Sequence, residues 1–180
     1  MFVQDAKGNA KASIKYSYDL VRVLNENEFN AHVLVENKDY EGVSSWLPLE
    51  YDETPVVSIE EGSLQVRPDD LVIIPELFAH VMEQIADMPC NKVVLCQSYD
   101  YLFETLKPGA TWNSFGFNKV ITTSLDQKQY LNDLFKRQNI DVITPFISEL
   151  FTKSDKPQKP IISIHTRDQR DTMKLIKSFY

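Results

Sequence analysis

Apolar residues in this chain come in short runs rich in Val and Ile, each followed by a longer stretch in which they recur at helical spacing. Val72-Ile73-Ile74, Val93-Val94-Leu95 and Ile161-Ile162 are continuous rather than alternating, the pattern of strands covered on both faces. Strand runs that alternate with helical stretches predict βαβ units and a parallel sheet. Strands are expected at 1–4, 31–36, 70–75, 92–97, 119–123, 141–144 and 160–165.

The helices between them show their inner faces. Residues 12–25 carry Ile14, Tyr18, Val21 and Leu24, one apolar stripe down the helix. Residues 77–87 repeat the pattern with Phe78, Val81, Met82 and Ile85, and the helix must stop at Met88-Pro89 because proline cannot continue it. Residues 124–138 open with Ser124 and have Gln127 three positions on, the capping-box spacing. The expected inner face there is Leu125, Tyr130 or Leu131, Leu134 and Phe135. The least regular stretch, 43–68, holds Pro48, Pro55, Gly62 and Pro68, and predicts loop with a short hairpin and no chemistry.

Ser154-Asp155-Lys156-Pro157-Gln158-Lys159-Pro160 is polar, with two prolines that hold it extended. The expected organisation is a first domain at 1–152, a linker at 153–159, and one βα unit at 160–180. A lone βα unit cannot bury both of its faces, and no stop signal closes its helix. The unit either docks on the first domain as an extra element or opens a second domain that continues past Tyr180, and the second is expected.

Charge separates the same two parts. The chain of 180 residues carries a formal charge of -7; residues 1–150 hold 12 basic and 23 acidic groups, residues 151–180 seven basic and three acidic. Such an acidic balance repels a phosphate backbone and argues against a nucleic-acid partner. No run reaches the roughly 20 apolar residues of a membrane span, and Met1-Phe2-Val3-Gln4-Asp5 lacks the basic start and apolar core of a secretory signal. A cytoplasmic location is expected. Cys90 and Cys96 fall at opposite ends of one strand, about 20 Å apart, too far to bridge, and are expected to be free thiols.

In open parallel sheets ligands bind beyond the carboxyl ends of the strands, which singles out the residues after each strand. After the first come Lys7, Gly8 and Asn9, either a plain βα turn or a loop whose helix start receives an anion or a sugar hydroxyl. After Pro75 comes Glu76, read either as a carboxylate lining a cleft or as a solvated helix-start residue. Gln97-Ser98-Tyr99 follows the next strand and combines polar groups with an aromatic ring. Thr122-Thr123-Ser124 reads as a helix cap. His32 and His80 have no metal-ligand partner at useful spacing, so no metal is expected. Arg167 and Arg170, at the start of the last helix, suit a bidentate grip on a diphosphate or a solvated basic turn.

Taken in order, Gly8-Asn9-Ala10, Tyr18-Asp19-Leu20, His32-Val33-Leu34, Leu71-Val72-Ile73-Ile74-Pro75-Glu76, Val93-Val94-Leu95-Cys96-Gln97-Ser98-Tyr99, Lys119-Val120-Ile121-Thr122-Thr123-Ser124 and Ile143-Thr144-Pro145-Phe146-Ile147 resemble the N-terminal domain of a GT-B glycosyltransferase, closest in pattern to the retaining family-4-like enzymes that build surface polysaccharides. The resemblance implies an α/β fold with a Rossmann-like parallel sheet and helices on both faces. It also implies transfer of a sugar from a nucleotide-sugar to a glycan or other hydroxyl acceptor, with no metal or resident cofactor. Lys7, Gly8, Asn9, Glu76, Gln97 and Tyr99 would bind acceptor, and Arg167 and Arg170 would hold the donor diphosphate. Arg170 stands where that family has Lys, and the glycine-rich first loop is reduced to one glycine. The rest of the family's donor pocket would lie in sequence beyond Tyr180, as would any means of membrane-surface association, so this chain alone is expected not to turn over. Two other readings fit the same residues: a non-catalytic Rossmann-like binding module, and another sugar-nucleotide enzyme such as an epimerase.

Overall fold

A computed structural model describes residues 12–36, 39–40, 42–43, 47, 49–59, 65–98, 102–136, 138–145, 174 and 177. The chain divides into two units, Met1–Pro145 and Phe146–Tyr180; every element below belongs to the first. The strands expected at 1–4 and 160–165 lie outside the described residues.

The element order begins with helix α1 (Ala12–Glu26) and strand β1 (Val33–Val35), then a short 3₁₀ helix (Leu49–Glu53) and strand β2 (Val56–Ser58). It continues with β3 (Leu71–Pro75), α2 (Ala79–Gln84), β4 (Asn91–Cys96), α3 (Leu102–Thr105) and a second 3₁₀ helix (Trp112–Phe115). It ends with β5 (Lys119–Thr122), α4 (Leu125–Leu134) and β6 (Asn139–Val142). Strands β3 to β6 form a four-stranded sheet in sequence order, and β1 and β2 form a two-stranded one. Every pairing is parallel. This is a Rossmann-like α/β fold, as the alternating runs predict.

Helices cover both faces because the strand side chains alternate and both sets are apolar. Val72, Ile74, Val94, Cys96, Val120 and Ile140 face one way and bury against Phe78, Val81 and Met82 of the α2 region, Trp112 and Phe117, and Leu131 of α4. Ile73, Val93, Leu95 and Ile121 face the other way and pack on Tyr16 and Leu20 of α1. The same helix turns Ile14, Tyr18 and Val21 onto Val33, Val35 and Tyr51. One amphipathic helix thus joins the two sheets. Asp19, buried on its flank, accepts from Lys15 Nζ at 2.6 Å and from the Tyr51 hydroxyl at 2.7 Å, while the Arg22 guanidinium lies over the Tyr51 ring at 4.8 Å. These contacts hold the first 3₁₀ helix against α1.

Four expectations need correction. The stretch 43–68 holds no hairpin among its described residues: β2 runs parallel to β1 with Val33 opposite Val56, and its Val56-Val57 pair carries the β-branched side chains that suit a strand. The last strand of this unit lies two residues earlier than expected, at Asn139–Val142 rather than 141–144. Ile140 and Val142 share a face there and Asp141 points away toward Lys119, 3.0 Å off, so period-two alternation overrides the apolar pair Val142-Ile143. Helix α2 is shorter than 77–87, since Phe78 has a non-helical backbone and begins it as N-cap.

Helix α4 is rotated relative to its expected inner face. Leu131 is fully buried and Phe135 packs against the same core, as expected, but Leu125 is 75% exposed and Tyr130 and Leu134 also face out. The inward residue of its first turn is a glutamine, Gln127. The hydrogen bonds that Gln127 makes to the ends of β4 and β5 fix the rotation.

Candidate functional site

Because the four strands are parallel and in register, the residues that follow them lie along one edge: Glu76 after β3, Gln97 and Ser98 after β4, Thr123 and Ser124 after β5, and Ile143 after β6. The ladder continues a step past the strands, with the Glu76 N–H donating to Leu95 O at 3.1 Å and the Ile143 N–H to Thr122 O at 2.8 Å. Two of the residues expected to bind acceptor, Glu76 and Gln97, therefore stand on neighbouring strands of this edge. Lys7, Gly8, Asn9, Tyr99, Arg167 and Arg170 lie outside the described residues.

Glu76 is not the solvated helix-start residue that one reading allowed. It is 2% exposed, and α2 begins only at Ala79. Its Oε1 accepts from the Ser98 N–H at 2.8 Å, and its own carbonyl accepts from the Thr105 hydroxyl at 3.1 Å. Oε2 is buried with no hydrogen-bond partner among the described residues, and none of the described ion pairs includes Glu76. Burial pushes this carboxyl above its ordinary range, against the pull of the backbone N–H groups of Gln97, Glu76 itself and Ser98. A buried carboxyl oxygen left unpaired costs about 1–3 kcal/mol.

Cys96 lies on the same side of the sheet one strand over. Its thiol donates to Ser98 O at 3.6 Å, and burial, with the neighbouring Glu76 carboxyl adding to it, drives its pKa far above the ordinary thiol range. Both cysteines are free. Cys96 is a buried neutral thiol rather than a nucleophile.

Gln97 ties the two helical layers together. Its side-chain Nε2 donates to Ser13 O of α1 at 3.3 Å, while its carbonyl accepts from Gln127 Nε2 of α4 at 2.9 Å. Gln127 Oε1 accepts from the Thr123 N–H at 3.0 Å and the Thr123 hydroxyl at 2.7 Å. Thr122 Oγ1, 3.1 Å away, shares its proton between this oxygen and Ser124 O. The capping box is half formed: Ser124 Oγ accepts from the Gln127 N–H at 3.2 Å, but the glutamine side chain returns to Thr123 rather than to Ser124. On the far side, the Tyr16 hydroxyl donates to Ile143 O at 2.8 Å and fixes α1 over the end of β6.

Sequence reasoning missed Gln127, Ser13 and Thr105 as members of this edge. The capping spacing drew attention to Gln127, but only as a helix-start residue. Ser13 and Thr105 contribute a main-chain oxygen and a hydroxyl whose positions depend on tertiary packing, and nothing in their sequence neighbourhood marks them.

Among the described residues no group of His, Cys, Asp and Glu is placed to hold a metal ion, and no helix is long and apolar enough to cross a membrane. His80 is exposed and pairs with Glu36 at 3.2 Å. No family model, no curated protein and no solved structure matches this chain.

Proposed function

We propose that this chain is the acceptor-side part of a GT-B-type glycosyltransferase, acting in the cytoplasm on a nucleotide-sugar donor and a glycan or other hydroxyl acceptor. The observation that carries the reading is the pairing of Glu76 with Gln97 and Ser98 at the carboxyl edge of a Rossmann-like parallel sheet, where ligands of such sheets bind. Carboxyl, amide and hydroxyl groups stand in a row there, the donor and acceptor types that recognise sugar hydroxyls; Thr122, Thr123 and Gln127 are bonded to one another within the fold, which leaves Glu76 and Gln97 for a ligand. The order of sequence landmarks along the chain, which includes these residues, supports it.

In this reading Lys7, Gly8, Asn9 and Tyr99 bind acceptor together with Glu76 and Gln97. Arg167 and Arg170 stabilise the leaving diphosphate as negative charge develops on it. The reaction uses no metal.

A glycan array probed with the purified chain, run beside an assay of nucleotide release from UDP-, GDP- and ADP-sugars, tests the proposal. The expected result is selective retention of oligosaccharides with no nucleotide release. Steady release of a nucleoside diphosphate would overturn the acceptor-side assignment, since the chain would then hold a complete donor pocket as well. Failure to retain any glycan would overturn the transferase reading itself.

A further inference from the structure

Of the buried polar side chains on the carboxyl edge, Gln127 and Thr122 spend their hydrogen-bonding capacity inside the fold. Glu76 differs: Oε1 is fixed by the Ser98 N–H and Oε2 has no partner among the described residues. Thr54 Oγ1, Trp112 Nε1, Asn113 Oδ1 and the amide of Gln138 are also buried without a partner among the described residues, but of these groups Glu76 alone stands at the carboxyl edge, where a ligand could complete it. We propose that Glu76 Oε2 is the anchor for a neutral hydroxyl-bearing ligand, a sugar or polyol, at the end of β3. The inference rests on the acceptor-side reading above and names the atom and the ligand chemistry that reading leaves open.

The class of ligand follows from what the carboxyl can pair with. Ionised, Oε2 only accepts; protonated, it donates. A hydroxyl donates and accepts, so it satisfies Oε2 in either form, whereas an ammonium requires the ionised form and a phosphate is repelled by it. A metal ion requires further ligands, and none are grouped here among the described residues. Burial favours the neutral carboxyl, the form that a glutamine amide copies, with one donor and one acceptor in nearly the same positions. Oε2 is covered, so a hydroxyl reaches it by displacing its neighbours, and the Ser98 N–H, bonded to the other oxygen of the same carboxyl, registers that displacement.

The test is a titration of the ¹⁵N-labelled chain with methyl glycosides of glucose, galactose and mannose, and separately with inorganic phosphate, following the backbone amides. At least one glycoside is expected to shift the Ser98 amide saturably. Glu76→Gln is expected to keep its affinity within about threefold, and Glu76→Met to lose about tenfold or more, the worth of one hydrogen bond. The amide spectra of both variants report that they are folded. A Ser98 response to phosphate and not to glycosides would overturn the ligand class. Glycosides that shift other amides only, with Glu76→Met binding as well as the parent, would overturn the anchor while leaving the sugar-binding reading intact. No response to any glycoside at any amide would overturn both.

Discussion

Gln127 Nε2, on the first turn of α4, donates to the carbonyl of Gln97 at the end of β4, while the Gln97 side chain reaches the other face of the sheet to bond Ser13 of α1. Two amide side chains in series thus link the helices above and below the sheet through its edge. The link makes the position of that edge depend on both layers, and buried polar chains of this kind cost more to break than to omit.

Replacing Gln127 with Leu leaves the Thr123 N–H, the Thr123 hydroxyl and the Gln97 carbonyl without this partner. We expect a loss of roughly 3 kcal/mol of stability, measured as a lower midpoint in urea unfolding. Gln127→Glu retains an acceptor for Thr123 but sets a carboxylate against the Gln97 carbonyl, and is expected to be destabilising at neutral pH and milder in acid.

Glu76 gives the protein a pH dependence of unusual sign. Its folded pKa is raised above the ordinary value of 4.5, so the unfolded chain releases this proton first. The stability this group contributes is present below pH 4.5 and is lost as pH rises through its folded pKa. The Glu76→Gln variant lacks that loss. Subtracting its unfolding free energy from that of the parent, from pH 4 to pH 8, should give a curve that falls with pH; a flat or rising difference would contradict the burial of the carboxyl in neutral form.

The rotation of α4 separates two leucines that periodicity alone groups together. Leu131→Ala, at a fully buried position, is expected to cost about 2–5 kcal/mol. Leu125→Ala, on the exposed side, should change stability by less than about 0.5 kcal/mol. Thermal unfolding of the two variants distinguishes the observed orientation from the expected one.

Much of this architecture is legible in the residue pattern, and the exceptions share a cause. Continuous apolar runs such as Val72-Ile73-Ile74 locate β3, β4 and β5 because a strand buried on both faces has no polar positions to blur it. The inner face of α4 is misread because a polar residue, Gln127, occupies the core side where apolar periodicity expects Leu125. The shift of β6 has the same origin, since Asp141 is the outward member of an alternating strand that a search for continuous runs passes over. At the site, the position of Glu76 follows from the rule that chemistry gathers after strands, but its burial is set by tertiary packing and its bonds come from Ser98 and Thr105, more than 20 residues away in sequence.

The thiols offer a check on the core that needs no variant. Burial raises the pKa of both Cys90 and Cys96, and Cys96 is the more deeply enclosed. With iodoacetamide at pH 8 the native chain should be alkylated at Cys90 first and at Cys96 only on the timescale of unfolding, since reactivity follows exposed thiolate. Peptide mass spectrometry of timed samples reads the order directly.

Tyr51 is expected to matter for a different reason. Its hydroxyl is the one contact described here that crosses from the first 3₁₀ helix to the buried Asp19 carboxylate. Tyr51→Phe should cost about 2 kcal/mol, in the range for a hydrogen bond to a charged group. Exchange of the α1 amides, followed by mass spectrometry, should quicken in this variant while that of β4 and β5 does not.

The order β3-β4-β5-β6 has a consequence for how the protein is made. Each strand lies beside the one synthesised just before it, so every pairing closes a short loop and none waits for a distant segment. Contacts of low sequence separation form fast, and an N-terminal-first chain leaving a ribosome can add its strands one at a time to an edge that already exists. The sheet can grow at the pace of translation, with β3 as one edge throughout and the newest strand as the other.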